Sequence, residues 1–131
     1  MQIDSSIVSV SKSNETVFNF LKDVKNFEAL MPESINKFQI LEHNKFIFAL
    51  NGMPEIVLEK KEETPHSSIV LGAAGGKLDF TLKANITPAE NNQTNVQLSF
   101  SGYFNPMMAM MIKGPITKFV ETLVNNIPVA I

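Results

Sequence analysis

Hydrophobic and polar residues alternate along this chain with a period that changes twice. Residues 2 to 11 are rich in Ile, Val and Ser and alternate imperfectly, which predicts a first strand. From Val17 to Met31 the apolar residues recur at helical spacing, after Ser13, a residue of the type that caps helices. Lys25-Asn26 interrupts this pattern, so two short helices are predicted before the chain turns at Pro32.

A period of two governs the middle of the chain, from Ser34 to Phe104. Turn residues divide it into six predicted strands, at residues 35 to 42, 45 to 50, 55 to 63, 68 to 73, 77 to 87 and 94 to 104. The last two strands alternate most cleanly, with apolar side chains on one face and polar side chains on the other. We therefore expect them to pair in an antiparallel sheet that is buried on one face only.

The chain ends in a predicted long amphipathic helix. Asn105 is a suitable N-cap, Pro106 suits the first helical position, and apolar residues keep helical spacing to about Ile127. At a rise of about 1.5 Å per residue, such a helix is about 33 Å long and can cross a whole sheet. The predicted order is one strand, two short helices, six strands and one long helix, an α+β arrangement in a single domain over residues 1–131.

Composition narrows the classes of function. With 44% hydrophobic and 18% charged residues, the chain has the composition of a folded globular protein. A net charge of −2, with only lysines as basic residues, argues against a nucleic-acid partner. The absence of cysteine excludes disulfides and thiolate chemistry. The N-terminus lacks the features of a signal peptide and no stretch is apolar enough for a transmembrane segment, so we expect a cytoplasmic protein.

Three local motifs carry a resemblance to a known superfamily. They are Val17-Phe18-Asn19-Phe20-Leu21-Lys22-Asp23 with Asn26-Phe27 and Pro32, Glu63-Thr64-Pro65 before a strand, and Phe104-Asn105-Pro106 before the long helix. Together with the order of elements, they resemble the START-like, birch-pollen-allergen-like superfamily (SRPBCC), over essentially the whole chain. The branch that looks most similar is the small bacterial one with proteins like the G-type subunit of carbon monoxide dehydrogenase. The resemblance implies a helix-grip fold, in which a curved seven-stranded antiparallel sheet wraps the C-terminal helix around a cavity for hydrophobic ligands.

A physical argument also predicts a cavity, because a curved sheet cannot contact a straight helix along its full length. The expected occupant is a small hydrophobic ligand, a lipid or polyketide-like molecule, and no cofactor or metal is expected. The alternative is that the ten phenylalanines fill the gap as packed core. The candidate lining residues are Phe38, Ile40, Phe46, Phe48, Leu78, Phe80, Leu82, Leu98, Phe100, Met107, Met111, Ile112, Phe119 and Leu123.

The Met107-Met108-Ala109-Met110-Met111 run leaves three roles open. Methionine side chains pack into irregular gaps, and they also suit the mouth of a cavity or a surface that docks a partner. Thioethers bind soft metals such as Cu(I), although no His or Cys lies nearby in sequence to complete a site. If the run or an unpaired edge strand docked a partner or a second copy, the protein would be a non-catalytic interaction module, and with a second copy a homodimer.

Catalytic chemistry finds little support in the sequence. His43 and His66 lie at predicted turns, without partners at catalytic or metal-binding spacing. Tyr103 is predicted to point away from the apolar face. Lys60 could point inward as a base or iminium former, or outward into solvent. A cyclase, dehydratase or hydrolase is therefore the second hypothesis, after a non-catalytic carrier or sensor.

Overall fold

The computed structural model describes residues 1–33, 35–42, 44–50, 55–74 and 79–131. Within these residues the strands are β1 (Gln2–Asp4), β2 (Val8–Val10), β3 (Ile35–Glu42), β4 (Lys45–Leu50), β5 (Ile56–Thr64), β6 (Ser68–Ala73), β7 (Asp79–Pro88) and β8 (Thr94–Tyr103). The helices are α1 (Asn14–Leu21), a 3₁₀ helix (Val24–Leu30) and α2 (Pro106–Ala130). These bounds agree with the predicted ones to within a few residues. Residues 77 and 78 of one predicted strand, and His43 in the predicted β3–β4 hairpin, lie outside the described residues.

The strands form one antiparallel sheet in the order β1-β8-β7-β6-β5-β4-β3, with β2 also paired to β8. The β7–β8 ladder runs without interruption from Asp79 opposite Tyr103 to Pro88 opposite Thr94. Their connection turns at Asn91 and Asn92, which both have φ of 59°, a left-handed conformation that asparagine tolerates. Apolar side chains of both strands are buried alternately, as the period of two predicts.

The N-terminal residues form two short strands where the sequence predicts one. Ile3 lies opposite Phe100 and Val8 opposite Val96, so the register shifts by one residue between β1 and β2. At this shift, the hydroxyl of Ser5 accepts a hydrogen bond of 2.9 Å from the backbone N–H of Leu98. A side-chain oxygen thereby replaces a backbone acceptor, and the strand bends at a β-bulge.

The break between the two short helices lies at Lys22 and Asp23, slightly before the predicted position at Lys25-Asn26. The carboxylate of Asp23 accepts a hydrogen bond of 3.0 Å from the backbone N–H of Lys25 and so caps the 3₁₀ helix. Asn26 instead donates from its side chain to the carbonyl of Phe20, at 2.8 Å. Asn26 therefore ties the two helices together and does not separate them.

The C-terminal half of α2 is the part of this helix that packs most tightly. Val120, Leu123, Val124 and Ile127 have no exposed surface. The helix packs there against the 3₁₀ helix, β2 and β8. Burial of each such side chain contributes about 1.5–3 kcal/mol relative to exposure, so this half of the helix is firmly held.

Polar contacts fix the same half of α2 in register. The hydroxyl of Ser6 donates to the carboxylate of Glu121 at 2.9 Å, and the backbone N–H of Ser6 donates to the same group. The side-chain amide of Asn126 donates to the carbonyl of Leu30 at 2.9 Å. The helix is therefore joined by hydrogen bonds to the β1–β2 connection on one side and to the end of the 3₁₀ helix on the other.

We expect Leu123→Ala to lower the free energy of unfolding by about 2–5 kcal/mol, since it leaves a cavity in the packed half of α2. Val129, on the same helix, is 84% exposed, and Val129→Ala should change this free energy by less than about 0.5 kcal/mol. Chemical denaturation of both variants measures the difference. Equal losses in the two variants would show that this half of the helix does not hold the fold.

Candidate functional site

An apolar cavity of about 20 Å³ lies between the sheet and the first half of α2. Every described residue that lines it is apolar. They are Phe48, Ile56, Leu58, Phe80, Leu82, Phe100, Phe104, Ile112, Ile116 and Phe119. A space of this size holds about one water molecule, whereas pockets for drug-sized ligands measure about 300–1,000 Å³. The surrounding side chains therefore leave too little space for a ligand of that size in this conformation.

Two stacks of aromatic rings lie between the sheet and the helix. In the first stack, the ring of Phe48 on β4 lies 5.0 Å from that of Phe119 on α2, measured between centroids. In the second, Phe80 and Phe100 on adjacent strands are 5.2 Å apart, and Phe104 follows Phe100 at 6.1 Å. The cavity is the space left between the two stacks. Because β4 and β8 are far apart in the sheet and both contribute to it, the sheet must curve around α2.

Gly102 determines the position of Phe104. A Cβ atom at Gly102 would lie 2.6 Å from the ring of Phe104 and 2.9 Å from the Cβ of Phe80, closer than real Cβ atoms approach. Only glycine thus leaves room for the ring to lie over β8. Phe104 is half-buried, while the other described lining residues are buried.

Six of the residues predicted to line a cavity do line this one: Phe48, Phe80, Leu82, Phe100, Ile112 and Phe119. Four others that line it, Ile56, Leu58, Phe104 and Ile116, were not among the predicted residues. Alternation along β5 and the helical spacing from Ile112 to Ile116 to Phe119 are the signals that point to most of them. Whether any of these residues binds a ligand stays a prediction.

The other predicted lining residues lie elsewhere. Phe46, Leu98 and Leu123 are buried in the core away from the cavity. Phe38 and Ile40 are half-buried on β3, at the edge of the sheet. Leu78 lies outside the described residues. The core thus divides into a part that surrounds the cavity and a larger part that does not.

Met107 and Met111, also predicted to line a cavity, are not among the described residues that line this one. They are 75% and 69% exposed. The first buried residue of α2 is Ile112, so the turns before it pack less closely than the rest of the helix. Helical spacing places these methionines on the apolar stripe of α2, but this stripe extends beyond the part of the helix that packs against the rest of the protein.

Lys60 has a structural partner outside the cavity. Its side chain is on the same face of β5 as Leu58, but its ammonium donates to the carbonyl of Lys22 at 3.2 Å and lies 3.1 Å from the carboxylate of Glu63. Lys22 is the C-cap of α1, where the helix dipole favours a positive charge. Lys60 therefore caps α1.

The other polar side chains that the sequence singled out also avoid the cavity. Tyr103 is 89% exposed, as its place in the alternation predicts. The ring of His66 packs edge-on against Phe18, with 5.6 Å between the centroids. On the outer part of β5, a hydrogen bond from Lys61, with a further contribution from Lys45, holds the pKa of the Glu59 carboxyl below its ordinary value. These charges neutralise one another on the outside of the sheet.

Metal-binding and membrane-spanning features are both missing from the described residues. Among them, no group of three or more His, Cys, Asp or Glu side chains is placed to hold a metal ion. None of the helices in this part of the chain is long and apolar enough to cross a membrane.

Comparison with known proteins places the architecture among solved structures. No family model matches the sequence, and no curated protein matches it significantly. Norcoclaurine synthase from Thalictrum flavum superposes with a TM-score of 0.77 at 12% identity, over 98% of this chain and 84% of that one. A protein from Thermus thermophilus gives 0.75 at 12% identity, over 99% and 96%. A conserved protein from Geobacillus kaustophilus gives 0.67 at 14%, over 98% and 93%.

These similarities confirm the predicted fold class. An antiparallel sheet that wraps a long C-terminal helix, with short helices after the first strands, is the helix-grip fold of birch-pollen-allergen-like proteins. At such low identity, the likeness establishes the fold alone. The function must therefore be argued from the site of this chain.

We expect Lys60→Gln to lower the free energy of unfolding by about 0.5–1.5 kcal/mol, because the cap of α1 loses its charge. Lys83→Gln, on the exposed face of β7, should change it by less than about 0.5 kcal/mol. Thermal melting of the two variants at matched pH measures the effect. Equal melting temperatures for both would contradict the capping role.

Proposed function

We propose that this protein binds a small, uncharged, hydrophobic molecule between the sheet and the first half of α2, and carries or senses it without changing it. The observation that supports this proposal is the described lining of the cavity, which is entirely apolar and contains five phenylalanines. Such surfaces bind apolar groups through burial and ring contacts. A lipid tail or an aromatic polyketide-like compound belongs to this class of ligand.

The chemistry of the lining restricts what the ligand can carry. A charged group buried without a partner is costly, and the chain has no arginine to supply a guanidinium. Lys60, the one lysine on the cavity side of β5, is engaged at α1. Any polar group of the ligand should therefore lie beside Phe104, the one described lining residue that is not fully buried.

The ligand can enter only if the lining side chains move apart, because the closed cavity measures about 20 Å³. We infer that residues 106 to 113 of α2 move and carry Ile112 away from the cavity, since the rest of the helix is held by its buried side chains and by Glu121 and Asn126. Gly114 and Pro115 follow this segment directly. Proline has no N–H to bond the carbonyl of Met111, so the helix has a weak point there.

The fold alone also suits an enzyme, as norcoclaurine synthase shows by its name. A catalytic role needs an acid, base or nucleophile against the ligand. The cavity lining among the described residues offers none, and this favours the carrier. Membership of the small bacterial branch, a cytoplasmic location and a homodimer stay predictions from the sequence.

Binding of the uncharged fluorophore N-phenyl-1-naphthylamine tests the site. We expect Phe80→Trp to weaken binding about tenfold, since the larger indole occupies the space between the stacks. Phe38→Trp makes the same change on the edge strand, away from the cavity, and should leave the affinity unchanged. Circular dichroism checks that both variants fold. Equal affinities for the two variants, or no binding by the unaltered protein, would refute the proposal.

The weak point in α2 can be tested with Gly114→Ala. A Cβ atom there meets no other atom within 4 Å, so alanine fits without a clash. It should raise the free energy of unfolding by about 0.5–1 kcal/mol and slow the association of the fluorophore in stopped-flow measurements. Asn125→Ala, at an exposed position in the second half, is the control. It should add stability without slowing association, and equal slowing in both variants would contradict a hinge at Gly114-Pro115.

A further inference from the structure

Four methionines lie exposed in the first turns of α2. The exposed fractions of Met107, Met108, Met110 and Met111 are 75%, 37%, 83% and 69%. None of the four lines the cavity, so filling a gap in the core does not account for them. Exposed apolar side chains grouped in this way mark a surface with a role of its own.

Among the described residues, the side chains that are both readily oxidisable and most exposed belong to this run. With no cysteine and no tryptophan, the thioethers are the side chains that peroxides oxidise most readily. The chain has seven methionines in all. Among the others, Met31 is only 8% exposed and Met1 is half-buried, while Met53 lies outside the described residues.

The position of the run links it to the cavity. Phe104 lies just before the run and Ile112 just after it, and both line the cavity. Phe104 is also the least buried of the described lining residues. The four methionines therefore lie between two lining residues in the chain, and we take them as the apolar rim of the entry path that the proposed function requires.

We propose that Met107, Met108, Met110 and Met111 form a reversible oxidation site that controls access to the cavity, an inference that rests on the proposed function.

A hydroperoxide transfers one oxygen atom to each thioether. A sulfur lone pair forms the S–O bond, the O–O bond breaks, and the departing oxygen takes up a proton as water or an alcohol. Sulfur loses two electrons and the peroxide gains them. A dithiol reductant reverses the step, giving the thioether, water and a disulfide.

Oxidation changes the rim from apolar to polar without disturbing the core. A sulfoxide oxygen is a strong hydrogen-bond acceptor that holds water. An uncharged ligand that passes the rim must then displace this water, which costs free energy. We expect oxidation to lower the association rate constant of N-phenyl-1-naphthylamine about fivefold, while the fold is retained because the sulfur atoms belong to exposed side chains.

Peptide mass spectrometry after timed exposure to hydrogen peroxide tests the site itself. Met107, Met110 and Met111 should gain one oxygen each at a rate about tenfold above that of Met31, with Met108 in between because it is less exposed. A rate for Met31 equal to theirs would overturn the site. This result does not depend on any ligand, so it separates failure of the oxidation site from failure of the proposed function.

Stopped-flow association of the fluorophore tests the control of access. Peroxide treatment should slow association, and methionine sulfoxide reductase with dithiothreitol should restore the rate. A variant with all four residues changed to leucine keeps apolar side chains but has no thioether there to oxidise, so its association rate should be the same before and after peroxide treatment. Met31→Leu should respond to peroxide like the unaltered protein. A slowing that persists in the four-leucine variant would overturn the control of access. If the untreated protein binds no fluorophore, the proposed function fails and the control of access fails with it.

Discussion

Burial of the second half of α2 is the interaction on which the rest of this structure depends. Leu123, Val124 and Ile127 are fully buried, α2 packs against β2, β8 and the 3₁₀ helix, and Glu121 and Asn126 fix the helix in register. A helix held this closely at one end stands away from a curved sheet at the other. The gap beneath the first half of α2 is thus a geometric consequence of the firm contact at its second half.

Aromatic rings line this gap, and the small enclosed void among them costs little. At about 24 cal/mol per Å³, a cavity of about 20 Å³ destabilises the fold by only about 0.5 kcal/mol. The closed state is therefore stable by itself, and a ligand of the proposed kind would have to offset the opening of the cavity through its own burial. Stacked rings suit this exchange, because ring–ring contacts are worth only about 0.5–1.5 kcal/mol beyond area burial and a hydrocarbon ligand can replace them.

Local periodicity predicted the parts of this structure that depend on near neighbours in the chain. The alternation that buries Phe80 and Leu82 and the cap of α2 at Asn105 are of this kind. The bulge at Ser5 depends on a hydrogen bond to Leu98, distant in sequence, and periodicity does not report such contacts. The exposure of Met107 has a similar origin, because helical spacing shows which face of a helix is apolar but not how far the partner surface extends. The lining of the cavity was also beyond local periodicity, because the curvature of the sheet decides which buried side chains of different strands face the same space.

The placement of a few polar side chains then separates the functions that one fold can support. Lys60 lies on the face of β5 where a catalytic base would be needed. Its ammonium instead donates a hydrogen bond to the carbonyl of Lys22 at the end of α1. Tyr103 is turned outward by the alternation that turns Phe100 inward. With these groups engaged or exposed, the described lining of the cavity can exclude water and hold a hydrocarbon, but it has no group that could transfer a proton. This described lining is what the proposed binding of a hydrophobic molecule requires.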